Sequence, residues 1–250
     1  MLHRDRARAE SFGAAAELYD RARPTYPPAL IDHLLRDGAR RVLDVGCGTG
    51  IASRLLADRG CQVLGVEVDP RMAAVAAAKG LDVEVSPFES WPDGGRRFDL
   101  VIAAQAWHWI DPEAGTTRAA EVLVPGGRLE VFWNLGERPK HVREALADVY
   151  ARLEPDLQSE PRPAERIDEA VAAFAACPLL GAPEQSEFSW QQRYDTAGWL
   201  ERLATRSEYR TLPERRRERL LRAVGEAIEQ IGGSFVEQHR TVLAGAPRVF

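Results

Sequence analysis

Lysine is nearly missing from this chain: of 33 basic residues only Lys79 and Lys140 are lysines, and the rest are arginine. Together with the abundance of alanine, this reads as coding bias rather than as phosphate recognition. Cysteine is scarce as well, and Cys47, Cys61 and Cys177 show neither metal-ligand spacing nor an even disulfide set. The five histidines are scattered, so the sequence holds no cluster suited to a metal. No apolar run spans a bilayer; stretches such as Leu100–Ala104 are far too short. No apolar core follows the charged start Met1–Arg6, which excludes a secretory signal and makes a cytosolic protein the expectation. A formal net charge of −5 argues against a general nucleic-acid binder.

What the chain does have is a rhythm of strands and helices. After an arginine-rich arm over residues 1–26, with a short helix expected through Phe12–Tyr19, Pro27-Pro28 opens a helix that runs to about Asp37. Apolar strands follow at Val42–Val45, Gln62–Val68, Leu81–Val85, Phe98–Ala104 and Arg128–Trp133, with helices between them. That alternation predicts an α/β fold, a Rossmann-like doubly wound parallel sheet. Beyond Asn134 the rhythm breaks. Helices are expected at Lys140–Leu153, Arg166–Ala176, Thr196–Thr205 and Pro213–Ile231, and late strands at Glu187–Tyr194 and Ser234–Ala244. The expected organisation is one domain over 1–250: the arm (1–26), a core (27–136), a helical cover (137–183), and sheet completion with further cover helices (184–250).

The segment Asp44-Val-Gly46-Cys47-Gly48-Thr-Gly50 lies where the first strand hands over to a helix. Glycines there let backbone approach a ligand and adopt positive φ. Glu67, at the end of the next strand and 21 positions after Gly46, can accept both hydroxyls of a ribose. A dinucleotide fold wants G-x-G-x-x-G, whereas the spacing here is G-x-G-x-G followed by Ile51. Asp44 would also repel a pyrophosphate while attracting a cationic amino-acid end. Both features favour S-adenosylmethionine, which has a sulfonium and an α-amino group and no phosphate.

With VLDVGCGTG, VLGVEVDPRM, FDLVIAAQAWHWID and VLVPGGRLEVFW in order from Val42 to Val131, the chain resembles the class I S-adenosylmethionine-dependent methyltransferase superfamily. The arm, with Phe12, Tyr19, Arg23-Pro24 and Tyr26-Pro27, and the Trp107-His108-Trp109 segment are similar to a subgroup of trans-aconitate methyltransferase-like small-molecule enzymes. The resemblance implies a sheet of about seven strands with an antiparallel last strand plus helical cover. It implies that Asp44, Gly46, Cys47, Gly48 and Gly50 line the methionine half of the cofactor. Glu67 would then hold the ribose, Val68 would flank the adenine, and Ala104 and Gln105 would meet the methionine end. Many relatives carry an Asp after the third strand; here the region reads Ser86-Pro87-Phe88-Glu89, where Phe88 could stack.

Trp107, His108 and Trp109 follow the carboxyl end of a central strand, where open α/β sheets bind ligands, and are candidates for the acceptor pocket. A neutral acceptor needs a base, and His108 is the candidate; a carboxylate acceptor needs none. The competing structural reading has His108 capping the helix near Asp111 and both tryptophans packing. Tyr19 could face the sulfonium. The functional expectation is methyl transfer from S-adenosylmethionine to O, N or C of a small-molecule acceptor, leaving S-adenosylhomocysteine. The enzyme would work without nucleic-acid or membrane partners, as a monomer or homodimer. Rival readings are a cofactor-binding protein without transfer, an enzyme of another reaction type, and an RNA methyltransferase. The Arg215–Arg222 run speaks little for the last, because its charges are mixed and no basic–aromatic patch accompanies it.

Overall fold

Four of the five residues of β1 (Arg41–Val45) are buried, as befits a parallel strand covered on both faces. In the computed structural model, which describes residues 13, 15–158 and 163–249, this strand lies in the interior of one seven-stranded sheet. Its neighbours are β2 (Gln62–Glu67) and β4 (Phe98–Ala104), both parallel to it. With β3 (Asp82–Val85), β5 (Leu123–Glu137), β6 (Glu184–Asp195) and β7 (Ser234–Pro247), the order is β3-β2-β1-β4-β5-β7-β6. β7 runs antiparallel to both of its neighbours, so the implied topology is the one observed. The strand order turns between β1 and β4, and such a switch point opens a crevice at the carboxyl ends of the strands.

Helices α1 (Ala16–Ala22), α2 (Pro28–Leu34), α3 (Ile51–Ala57), α4 (Pro70–Ala78) and α5 (Pro112–Val122) flank this sheet or its ends. Asp69 caps α4 by accepting from the Arg71 N–H at 2.9 Å, and Asp111 caps α5 through the N–H groups of Glu113 and Ala114. Capping of α5 thus falls to Asp111 itself and leaves the His108 ring to other partners. On one face of the sheet Leu30, Ile31, Leu34, Leu56 and Phe132 share a core; on the other, Val101, Leu129, Trp133, Ile167 and Phe174 share another.

Beyond β5, α6 (Lys140–Leu153), α8 (Thr196–Ala204) and α10 (Glu214–Gln230) bury Leu146, Trp199, Leu203, Leu220, Val224 and Ile228 in a core of their own. α7 (Pro163–Ala176) serves two surroundings, since its Arg166 lines a cavity at the sheet's edge while its apolar side turns elsewhere. Its stripe Ile167, Ala170 and Phe174 packs into the sheet's own core, because those positions are apolar at helical spacing.

Other departures are local. The arm helix is Ala16–Ala22, later than expected, and Phe12 lies outside the described residues. β5 runs on to Glu137, and β7 to Pro247, because the two strands pair as far as Glu137 with Gln238 and Arg128 with Pro247. An unexpected short helix, α9 (Ser207–Arg210), follows α8, and single 3₁₀ turns occur at Phe88–Ser90, Trp107–Trp109 and Pro155–Gln158.

Candidate active site

The carboxyl ends of β1, β2, β4 and β5 open into a cavity of about 700 Å³. Gly46, at φ +66°, turns the chain out of β1, and a side chain there would bring its Cβ to 2.6 Å from the Ala106 Cβ. Only glycine fits that position. Gly48 follows at φ +58°, and its N–H donates to Glu67 Oε2 at 2.8 Å, while the Asp69 N–H donates to Oε1 at 2.9 Å. The two amides orient the Glu67 carboxylate on the cavity wall. Burial pushes its carboxyl above the usual range, and the backbone N–H bonds oppose that shift.

At the end of β4, Gln105 is the one non-glycine residue at positive φ (59°) among the described residues; its N–H donates to the Phe132 carbonyl at 2.9 Å. Such an outlier next to a ligand crevice marks a backbone fixed by its surroundings. Ala104, Val68, Cys47 and the buried Phe88 complete this half of the wall. Glu89 also reaches the wall, and its Oε1 accepts from the Asp111 N–H at 3.0 Å, tying together the loops after β3 and β4. Tyr19 comes in from α1, with the Arg23 guanidinium 4.6 Å above its ring.

Three of the anticipated residues do not reach the cavity wall. Asp44 is fully buried beneath the glycine loop, where its Oδ2 accepts from the Ser53 hydroxyl at 2.6 Å. Burial, opposed by Ser53 and reinforced by the nearby Glu67 charge, pushes its carboxyl up to about 7. Gly50, at φ +79°, serves as the N-cap of α3, its Cβ position taken by Leu81. Trp107 turns into the core, edge-on to Phe174 at 6.0 Å, because the 3₁₀ turn sends successive side chains in different directions. His108 and Trp109 do line the cavity, their rings 4.9 Å apart and tilted.

Sequence reasoning missed the far half of the site. Arg23, Arg138, Arg166, Arg202, Arg206 and Arg240 all line the cavity, as do Trp133, Asn134, Trp199, Glu208 and Glu237. Arg202 lies over the Trp199 and Tyr194 rings at 4.9 and 5.0 Å and pairs with the buried Glu237. Burial pushes the Glu237 carboxyl up, but His239 and Arg202 outweigh it and hold the group below the usual range. Reading the arginines as coding bias hid this cluster. The spacing of Trp199 and Arg202 at i and i+3 was the one signal, putting that pair on a common helix face.

Among the described residues, no group of three or more His, Cys, Asp or Glu could hold a metal ion, and no helix is long and apolar enough to cross a membrane.

A crevice at the switch point of a 3-2-1-4-5-7-6 sheet, with a glycine loop and a carboxylate on adjacent strands, defines the class I methyltransferase fold. Residues 42–127 match the family model described as a methyltransferase domain. An uncharacterized methyltransferase of Mycobacterium tuberculosis is 44% identical over 145 residues, covering 57% of this chain and 59% of the relative. The trans-aconitate 2-methyltransferase of the same species is 33% identical over 148 residues, 55% of this chain and 54% of the relative. The chain thus matches a little over half the length of these curated relatives. Among solved structures, one from Anaeromyxobacter dehalogenans, provisionally described as a type II methyltransferase, superposes with a TM-score of 0.66 at 23% identity, over 91% of this chain and 98% of that one. The phosphoethanolamine N-methyltransferase 2 of Haemonchus contortus, in complex with phosphomonomethylethanolamine and S-adenosylhomocysteine, gives a TM-score of 0.54 at 17% identity, over 98% of this chain and 59% of that one.

Proposed function

We propose that the chain is a methyltransferase that carries a methyl group from S-adenosylmethionine to an anionic oxygen of a small-molecule acceptor. The carrying observation is the division of one cavity into two halves of different chemistry. The half below Gly46, Gly48, Glu67 and Gln105 has close-approach backbone and a fixed carboxylate, which suit a ribose and an amino-acid end. The other half has six arginines, against Glu208 and Glu237, beside aromatic rings. Arginine forks match carboxylate geometry in pairs, which supports a carboxylic acid as the acceptor.

In this reading Glu67 holds the ribose hydroxyls, Val68 and Phe88 flank the adenine, and Gly46, Cys47, Gly48, Ala104 and Gln105 face the methionine end. The cofactor supplies an electrophilic methyl on a sulfonium, and transfer to oxygen leaves the neutral thioether S-adenosylhomocysteine. The residues' task is then to orient: arginines hold the acceptor, and Tyr19 and Trp109 present ring faces that tolerate positive charge. A carboxylate arrives ionised, so no proton has to move. The same reading takes 1–250 as one domain, with residues 137–183 and 184–250 supplying cover and sheet completion. It takes the enzyme as cytosolic, a monomer or homodimer acting on a free metabolite, consistent with the net charge of −5.

The test is calorimetric. Wild type should bind S-adenosylmethionine, and Glu67→Ala should weaken it by about tenfold or more, since a charged hydrogen bond contributes roughly 1.5–3 kcal/mol. Unchanged affinity in the variant would remove Glu67 from the site. Tighter binding of NADH than of S-adenosylmethionine would end the cofactor assignment. Binding without formation of S-adenosylhomocysteine across a panel of carboxylic acids would leave a cofactor-binding protein.

A further inference from the structure

Trp133, 1% exposed on β5 and paired there with Val242, donates its indole Nε1–H to Nδ1 of His108 at 3.3 Å. An indole nitrogen can only donate. Nδ1 must therefore present its lone pair to Trp133, and the single proton of a neutral imidazole is left on Nε2. We propose that Trp133 is a positioning residue that holds His108 in the Nε2–H tautomer, making His108 a hydrogen-bond donor to the acceptor's anionic oxygen and not a general base.

A base must offer a lone pair to the proton it removes, and the lone pair of this ring is occupied. A proton taken up at Nδ1 would set two N–H groups against each other across 3.3 Å, with the indole buried in the wall. The Trp109 ring, tilted 44° against His108, lies against the imidazole as well. Both Trp133 and His108 line the cavity, so the nitrogen away from Trp133 belongs to a ring that meets the ligand space. Donation from Nε2–H suits an acceptor that arrives ionised, since it orients the attacking oxygen and no proton has to be removed. The donor role rests on the methyl-transfer reading above; the tautomer does not.

The experiment is a long-range proton–nitrogen correlation spectrum of the full chain, with ¹⁵N-labelled histidine rings, near pH 7 and without ligand. His108→Gln identifies the signals by their loss. The expected wild-type pattern for His108 is a pyridine-like Nδ1 and a pyrrole-like Nε2. Trp133→Phe, which removes the N–H, should shift Nδ1 toward protonation as the second tautomer becomes populated. A pyrrole-like Nδ1 in wild type, or a doubly protonated ring, overturns the proposal. So does a folded Trp133→Phe whose His108 pattern is unchanged. Should that variant fail to fold, the wild-type spectrum alone decides. Calorimetry with S-adenosylmethionine on the same sample separates failure of the tautomer from failure of the methyl-transfer reading.

Discussion

Arg202→Met should lower the stability of this protein by about 3–5 kcal/mol, the usual consequence of removing one partner from a buried ion pair. Arg202 pairs with the Glu237 carboxylate, which is 2% exposed. Methionine keeps the apolar contact over Trp199 and Tyr194, so the loss is that of the charge. Glu237 would retain His239, whose Nε2 lies 2.8 Å from Oε2, and that partner carries charge only when protonated. Gly136 packs close against the carboxylate: a Cβ built there falls 2.7 Å from the Glu237 Cδ. For a chain of this length the expected fall in Tm is roughly 6–20 °C. The double variant Arg202→Met with Glu237→Leu should recover much of that loss, because replacing both charges with apolar groups removes the stranded carboxylate. Thermal unfolding of the three proteins provides the check. A single variant as stable as wild type would mean that Glu237 finds solvent when Arg202 is gone.

Asp44→Asn should change the pH dependence of stability more than any surface substitution. The folded-state carboxyl sits at about 7, against about 4 for a free aspartate, so between those values the folded chain binds more protons than the unfolded one. Raising the pH through that window strips the proton and costs stability. Above the window the carboxylate is ionised in both states and the full cost stands, up to about 4 kcal/mol. Asparagine has the same shape and never ionises. Its carbonyl can still accept from Ser53, while its amide meets the side on which Asp44 Oδ1 has no partner. That orphan amide disfavours the variant equally at every pH. The difference between variant and wild type should therefore swing toward the variant, by up to about 4 kcal/mol, from pH 4 to pH 8. Denaturant unfolding of both proteins at several pH values measures this. A gap that does not change with pH would show that Asp44 is not the titrating group.

Much of the half of the cavity around the glycine loop was legible because it is local. The glycine loop, the strand before it and Glu67 all sit at strand ends that alternation of apolar runs locates, and a sharp turn demands glycine wherever it occurs. Asp44 was expected on the wall and lies beneath it for the same reason: sequence gives its neighbours along the chain but not the direction of its side chain. In a parallel strand buried on both faces, position 44 faces Ser53 on the following helix. Trp107, in a 3₁₀ turn, was misdirected on the same ground.

The arginine-lined half is different in kind. Arg23, Arg138, Arg166, Arg202, Arg206 and Arg240 come from the residues just after α1 and β5, from α7, from α8 and the turn after it, and from β7, and they meet only in the folded chain. The Trp133–His108 bond joins residues 25 apart in the chain, through strands that lie side by side. By itself the sequence determined the class of fold, the succession of its first five strands along the chain and the glycine loop after the first of them, since each follows from residue spacing within a single element or turn. Which arginines face the cavity, which carboxylate is stranded beneath it and which nitrogen of His108 carries the proton were decided by the tertiary structure alone, because burial, charge pairing and hydrogen-bond direction are set by neighbours that the chain brings together from a distance.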